Sequence, residues 1–234
     1  MTNTLILAGE NSNSIVDLDR SYSKFNLKLG DRTIIEEAIN NYSSGKTTIA
    51  FSRNSNLPRI TNEQVETKKV GKTQGALITA LIATEGMDLQ SPLIIVPGDA
   101  LISRQSYMNF LAESISSGCD LSLVVFQSSN PDYSYVRSLG DKIVEVTEKK
   151  VVSSQATAGI FYFSSVEIFH ACGEWSIINK ITTRNLFFIA PSINYAIING
   201  LKINLYNISE DEYFRFSNHE SALISKKRYL NEEK

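Results

Sequence analysis

Two short stretches of this 234-residue chain carry the residue types needed for phosphate chemistry. In "LIIVPGDA" an apolar run ends at Pro97, Gly98 and Asp99. A carboxylate at the end of a buried strand can hold a hard divalent cation such as Mg²⁺ beside bound phosphates. The same aspartate could instead cap the helix expected in "ALISRQSYMNFLAES", because Asp is a preferred N-cap. In "TLILAGENSNSIVDLDRSYSK" a strand over Leu5, Ile6 and Leu7 stops at Ala8 and Gly9. A phosphate loop would continue with further glycines and an arginine, whereas here Glu10, Asn11, Ser12 and Asn13 follow. Backbone N–H groups in such a loop can still form an anion nest. His170 and His219 have no Ser or Cys partner at an interpretable spacing, which removes the usual nucleophile–base chemistries. Cys119 and Cys172 stand alone, without a zinc or disulfide pattern. The "DLD" at Asp17 to Asp19 sits in a polar loop rather than after a central strand and is read as coincidence.

The elements that must position these residues follow from the apolar pattern. Strand-like runs recur at "TLILA", "TTIAF", "LIIVPG", "LSLVVF" and "GIFYF", each bounded by Gly, Pro, Ser or Asn. Between the early ones lie helical stripes, Ile34, Ile35, Ala38 and Ile39 in "DRTIIEEAINNY" and Leu77, Ala80 and Leu81 in "TQGALITALIATEG". That alternation implies βαβ units whose ligands bind at the carboxyl ends of the strands. "LIIVPGDA" is apolar on both faces, as a central parallel strand covered by helices would be. "DYSYVRSLGDKIVEVTEKK" reads as two strands joined at "LGD", which makes the second half mixed. No repeat, low-complexity tract or linker divides the chain, so one domain over 1–234 is expected.

Bulk properties narrow the function classes. With 42% hydrophobic and 21% charged residues the chain is neither disordered nor membrane-like. A formal net charge of −2 argues against a large nucleic-acid footprint, while leaving a nucleotide ligand open. Lys68, Lys69 and Lys72 form the only central basic cluster near a plausible site, and Lys226, Lys227 and Arg228 read as a solvated helix face. Trp175 and the Tyr and Phe pairs read as core. The cysteine usage and the lack of a signal or membrane-spanning pattern lead us to expect a cytoplasmic protein.

In order and spacing, "TQGALITALIA", "GDALI", "VTEKK" and "ATAGIFYF" resemble the sugar-phosphate nucleotidyltransferases, or NDP-sugar pyrophosphorylases, over most of the chain. The resemblance implies an α/β, GT-A-like Rossmann-type three-layer sandwich with a mixed, mostly parallel central sheet. It implies a nucleotide-binding half over 1–125 and a sugar-phosphate-binding half over 126–234. The activity it implies joins a nucleoside triphosphate to a sugar 1-phosphate, with Mg²⁺ as cofactor and pyrophosphate as product, in nucleotide-sugar and surface polysaccharide biosynthesis. A homo-oligomer is among its implications; a membrane or nucleic-acid partner is not.

Residue by residue, the resemblance makes Asp99 the metal ligand and Lys24, in "SKFNLKLGDRTIIEEAI", the catalytic lysine that relieves phosphate repulsion. It puts Leu7, Ala8, Gly9, Gln74, Gly75, Ala76 and Gly98 against the nucleotide. It puts Glu148, Lys149, Thr157 and Gly159 against the sugar phosphate, where a cation for phosphate and an acceptor for hydroxyls are the minimum required. The bland readings are a solvated Lys24, a turn glycine at Gly75 and a strand bulge at Gly159. Two departures stand out: Asn11 and Asn13 where the family has Gly and Arg, and Arg215, in "YFRFSNHESAL", where it often has a second metal aspartate. Arg20 is a conjectural substitute for the missing loop arginine, and Glu220 preserves a later carboxylate. The departures leave open a relative that binds sugar phosphate or NDP-sugar without turnover. A GT-A glycosyltransferase is a third reading, but it needs an acidic pair where "PGDA" has one acid.

Overall fold

The computed structural model describes residues 2–9, 24–52, 57, 60 and 62–232. In chain order the strands are β1 (Thr2–Ala8), β2 (Lys28–Leu29), β3 (Arg32–Thr33), β4 (Gly45–Ser52), β5 (Val65–Val70), β6 (Leu93–Pro97), β7 (Ala100–Leu101), β8 (Leu121–Gln127), β9 (Ser134–Leu139), β10 (Lys142–Glu148), β11 (Gln155–Phe163), β12 (Ile203–Asn207) and β13 (Phe214–Arg215). The helices are α1 (Ile34–Tyr42), α2 (Ala76–Thr84), α3 (Arg104–Ser116), α4 (Val166–Ile178), α5 (Ile189–Ser192), α6 (Asn194–Ile198) and α7 (His219–Glu232).

The main sheet runs β12-β8-β11-β6-β1-β4-β5, with the β9–β10 hairpin attached beside the start of β11. Strand β1 pairs in parallel with both β4 and β6, and β4 in parallel with β5. Strand β11 runs antiparallel to β6, β8 and β9, whereas β12 is parallel to β8. The sheet is therefore mixed and mostly parallel, as the βαβ rhythm followed by a hairpin implies.

Successive side chains on a strand point to opposite faces, and this alternation builds two apolar layers. Ile6, Ile94, Val96 and Phe126 pack with Ile35 and Tyr42 of α1 and Tyr107 and Phe110 of α3 on one face. Leu5, Leu93, Ile95 and Val125 pack with Leu77 and Ala80 of α2 and Phe169 and Cys172 of α4 on the other. Helices thus cover both faces of the sheet in three layers. Leu81, read as part of the α2 stripe, is half-buried and lies under Gly173, where an added Cβ would stand 2.8 Å from it. Trp175, read as core, is likewise half-buried on α4.

Helix α1 begins where its sequence directs: Thr33 caps it by accepting from the Glu36 N–H, and the Glu36 carboxylate accepts from the Thr33 N–H in return. Those bonds from Thr33 hold the Glu36 carboxyl below its ordinary value. The far end of α1 supports the site. The Tyr42 hydroxyl, fully buried, donates to Ala100 O at 3.0 Å and accepts from Ile102 N–H at 2.9 Å, and Asn41 Nδ2 donates to Ile102 O at 3.1 Å. The chain immediately after Asp99 is thereby clamped. No helix among the described residues is long and apolar enough to cross a membrane.

Candidate active site

The carboxyl ends of β1 and β6 lie side by side, with Ile6 opposite Val96 and Leu7 opposite Pro97. Gly98 N–H continues the pairing by donating to Leu7 O at 2.9 Å. A Cβ on Gly98 would stand 3.1 Å from Leu7 O and 3.2 Å from Ile35 Cδ1, so the small residue lets the turn close onto β1. Leu7, Ala8, Gly9, Gly98 and Asp99 therefore share the carboxyl end of two adjacent central strands, where a parallel sheet places ligands.

Asp99 is not a helix cap. Helix α3 starts at Arg104 and is capped by Ser103, whose hydroxyl accepts from Ser106 N–H. The Asp99 carboxylate instead forms an ion pair with Lys24, whose Nζ donates to Oδ2. Lys24 is only 7% exposed and lies 5.1 Å from the centroid of the Phe25 ring, so it is no solvated lysine. Asp99 keeps 22% of its side chain open. Burial pushes its carboxyl up, but the Lys24 charge and hydrogen bond, aided by the Arg215 charge, outweigh burial and hold it below the ordinary aspartate value.

Arg215 reaches the same place from the far end of the chain. Strand β13 pairs with β7, setting Arg215 opposite Ala100, and Phe216 N–H donates to Asp99 O at 2.8 Å. The guanidinium stacks on Tyr133, 4.8 Å from the ring centroid. Its backbone is held by Ser225 of α7, which accepts from Arg215 N–H at 3.0 Å and donates to Arg215 O at 2.8 Å.

The residues expected on the sugar-phosphate side are gathered around the end of β10 and the start of β11. Glu148 accepts a hydrogen bond from Ser134 Oγ. Burial raises its carboxyl above the ordinary value against the opposing effects of Ser134, Lys149 and Arg215. The Arg215 charge thus favours the ionised form of both Asp99 and Glu148. Lys149 adopts a positive φ of 54°, and its Nζ sits 5.1 Å from the centroid of the Phe188 ring. Thr157 is buried, and Gly159, with φ of 75°, marks a register irregularity in β11. A Cβ on Gly159 would meet Pro97 Cγ at 3.7 Å, so the bulge lies against the end of β6.

Gln74, Gly75 and Ala76 open α2. Gly75, with φ of 112°, is its N-terminal flanking residue, and a Cβ there would stand 2.3 Å from Phe187 O. Phe187 N–H donates to Gln74 O at 2.8 Å and Leu77 N–H to Phe187 O at 3.2 Å. The close approach that this glycine permits is made by the protein's own backbone. Gln74 remains exposed. Phe187 and Phe188 thereby bridge the Gln74–Gly75 turn and Lys149, a link that the sequence pattern did not disclose.

Other expectations are revised. Lys68 lies on β5, the edge strand, and its Nζ donates to Ala83 O at 2.9 Å and Glu85 O at 3.3 Å, neutralising the carboxyl end of α2. In the tail, Arg228 is anchored rather than solvated: it stacks on Phe214 at 5.2 Å and donates to Asp211 O at 2.7 Å. His170 bonds Thr84 Oγ1 at 2.9 Å, and burial lowers its pKa. Asn11, Asn13, Asp17, Asp19 and Arg20 lie outside the described residues.

Among the described residues no group of three or more His, Cys, Asp or Glu side chains could hold a metal ion. Among the described residues Asp99 is the carboxylate at this strand end. That donor set fits a Mg²⁺ that arrives on phosphates, which commonly uses one or two carboxylates, and not a metal caged by the protein.

No family model matches the chain, and no curated protein matches it either. Solved structures do match. A nucleoside-diphosphate-sugar pyrophosphorylase from Vibrio cholerae aligns with a TM-score of 0.79 at 17% identity, over 95% of this chain and 99% of that one. A protein from Bacillus anthracis, described as a glucose-1-phosphate thymidylyltransferase and crystallised with a sucrose, aligns with a TM-score of 0.80 at 15% identity, over 99% and 96%. The chain therefore has the fold of sugar-phosphate nucleotidyltransferase structures.

Proposed function

We propose that the protein is a sugar-phosphate nucleotidyltransferase. A phosphate oxygen of a sugar 1-phosphate attacks the α-phosphorus of a nucleoside triphosphate; a P–O bond forms, the bond to the β-phosphate oxygen breaks, and pyrophosphate leaves. The observation that carries this reading is the buried Lys24–Asp99 pair beside Gly98 at the ends of β1 and β6. The shared fold is the second support.

The attacking phosphate is already anionic, so the protein's task is positioning and charge neutralisation rather than proton transfer. Lys24 keeps ammonium hydrogens beyond the one given to Asp99 and holds them where the two phosphates would meet. Glu148, fixed by Ser134, accepts from sugar hydroxyls, while Lys149, whose ammonium stands 5.1 Å from the Phe188 ring centroid, supplies the cation for the sugar phosphate. Gln74 and Ala76 line the nucleobase side, with Gly75 fixing their turn through Phe187. Asp99 would hold Mg²⁺ brought in with the triphosphate, where the ion would neutralise phosphate charge.

A second reading, a relative that binds sugar phosphate or NDP-sugar without turnover, is favoured by one observation: the Asp99 carboxylate, which would hold the metal, is already engaged by Lys24. A screen of nucleoside triphosphates against sugar 1-phosphates, followed as pyrophosphate release, separates the two. Release with one pair supports the enzyme; binding of a pair with no release supports the non-catalytic relative.

A further inference from the structure

We infer that Arg215 is a phosphate-binding residue that grips pyrophosphate or a phosphoryl group directly at the junction of the nucleotide and sugar sides, without needing a divalent cation. Among the described residues Arg215 forms no ion pair. Its face is occupied by Tyr133, which orients the planar group, and a guanidinium carries five N–H donors, more than one neighbour can use. Ser225 pins both backbone polar groups of the residue, and the β13–β7 pairing fixes it beside Asp99. A guanidinium so firmly placed, half-buried and yet without a carboxylate of its own, has the chemistry of an oxyanion clamp.

The neighbours set what it can take. Asp99, engaged by Lys24, lies beside it, and Glu148, engaged by Ser134, is within reach of its charge. An anion entering beside Asp99 would meet Lys24 and Arg215, two cations drawn from opposite ends of the chain. That is the charge pattern of a phosphate or pyrophosphate site. It also assigns a use to the one residue whose charge is opposite to what the family resemblance predicts.

This inference rests on reading the cleft as a phosphate-handling site, and its test is independent of turnover. Inorganic pyrophosphate is titrated calorimetrically into the full chain in EDTA, for the natural protein and for Arg215→Gln. Binding by the natural protein, weakened at least tenfold in the variant, is expected from loss of one charge-assisted contact. A second measurement uses the natural protein alone: phenylglyoxal labelling of arginines, mapped by mass spectrometry, should slow several-fold at Arg215 when pyrophosphate is present. No metal-free binding, equal binding by Arg215→Gln, or labelling at Arg215 that ignores pyrophosphate would each overturn the inference. Intact metal-free binding with no nucleotidyl transfer for any substrate pair would sink the proposed enzyme and leave the role of Arg215 standing.

Discussion

Tyr42→Phe removes one oxygen atom from a wholly buried position and isolates the link between α1 and the segment that carries Asp99. The hydroxyl serves two backbone groups, Ala100 O at 3.0 Å and Ile102 N–H at 2.9 Å. Phenylalanine keeps the ring and its edge contact with Tyr107, whose centroid is 5.1 Å away, so no large cavity opens. What changes is that a buried acceptor and a buried donor lose their partner, at about 1–3 kcal/mol each. A loss of about 2–6 kcal/mol is expected, which moves the midpoint of urea unfolding down by roughly 1–3 M for an ordinary slope of about 2 kcal/mol per M. Because the clamp holds the chain next to Asp99, Mg²⁺-dependent activity should fall more than the folded fraction does. A shift below about 0.5 kcal/mol with unchanged slope would refute the clamp, since buried backbone groups cannot lose their only hydroxyl so cheaply.

Asp99→Asn should abolish nucleotidyl transfer, and because it leaves the 7%-exposed Lys24 without a carboxylate it should also cost about 1–3 kcal/mol of stability. The Asp99 value is depressed in the fold, so its stabilisation is complete above the ordinary aspartate range, roughly pH 4, and is lost as pH falls through the lower folded value. The acid side of the stability profile, followed by denaturant midpoints, should therefore flatten in the variant; an unchanged acid limb would mean that the pair does not stabilise the fold. Gly75→Ala places a Cβ 2.3 Å from Phe187 O at a φ of 112°, and should lower the thermal midpoint by about 5–10 °C. A midpoint within a degree or two of the natural protein would contradict the close approach.

The fold was legible where burial dictates composition. Strands β1, β6 and β8 are covered on both faces and read as continuous apolar runs, and the α1 stripe of Ile34, Ile35, Ala38 and Ile39 is buried as its spacing implies. Strand β5 was invisible for the converse reason: at the sheet edge, "VETKKV" exposes Glu66, Thr67 and Lys69, so no apolar run marks it. Lys68 read as part of a basic cluster near a plausible site because the sequence does not show the helix end that it reaches. Asp99 and Gly98 could be read from the end of an apolar strand. The burial of Lys24 could not, since only the folded chain shows the carboxylate that justifies it. Tyr133, Ser134 and Phe188 escaped notice because they serve the site through Arg215, Glu148 and Lys149, residues that the topology alone brings to them. The one usable signal was the Tyr-Ser pair at the start of the strand that faces Glu148.

The proposed nucleotidyl transfer turns on Lys24 and Asp99. The most direct measurement is mass-spectrometric detection of a nucleoside diphosphate sugar alongside equimolar pyrophosphate, for each triphosphate and sugar 1-phosphate pair, with the natural protein and Lys24→Met. The account predicts both products from at least one pair, formed about a hundredfold more slowly by the variant. Neither product from any pair, or equal rates from the two proteins, would contradict it.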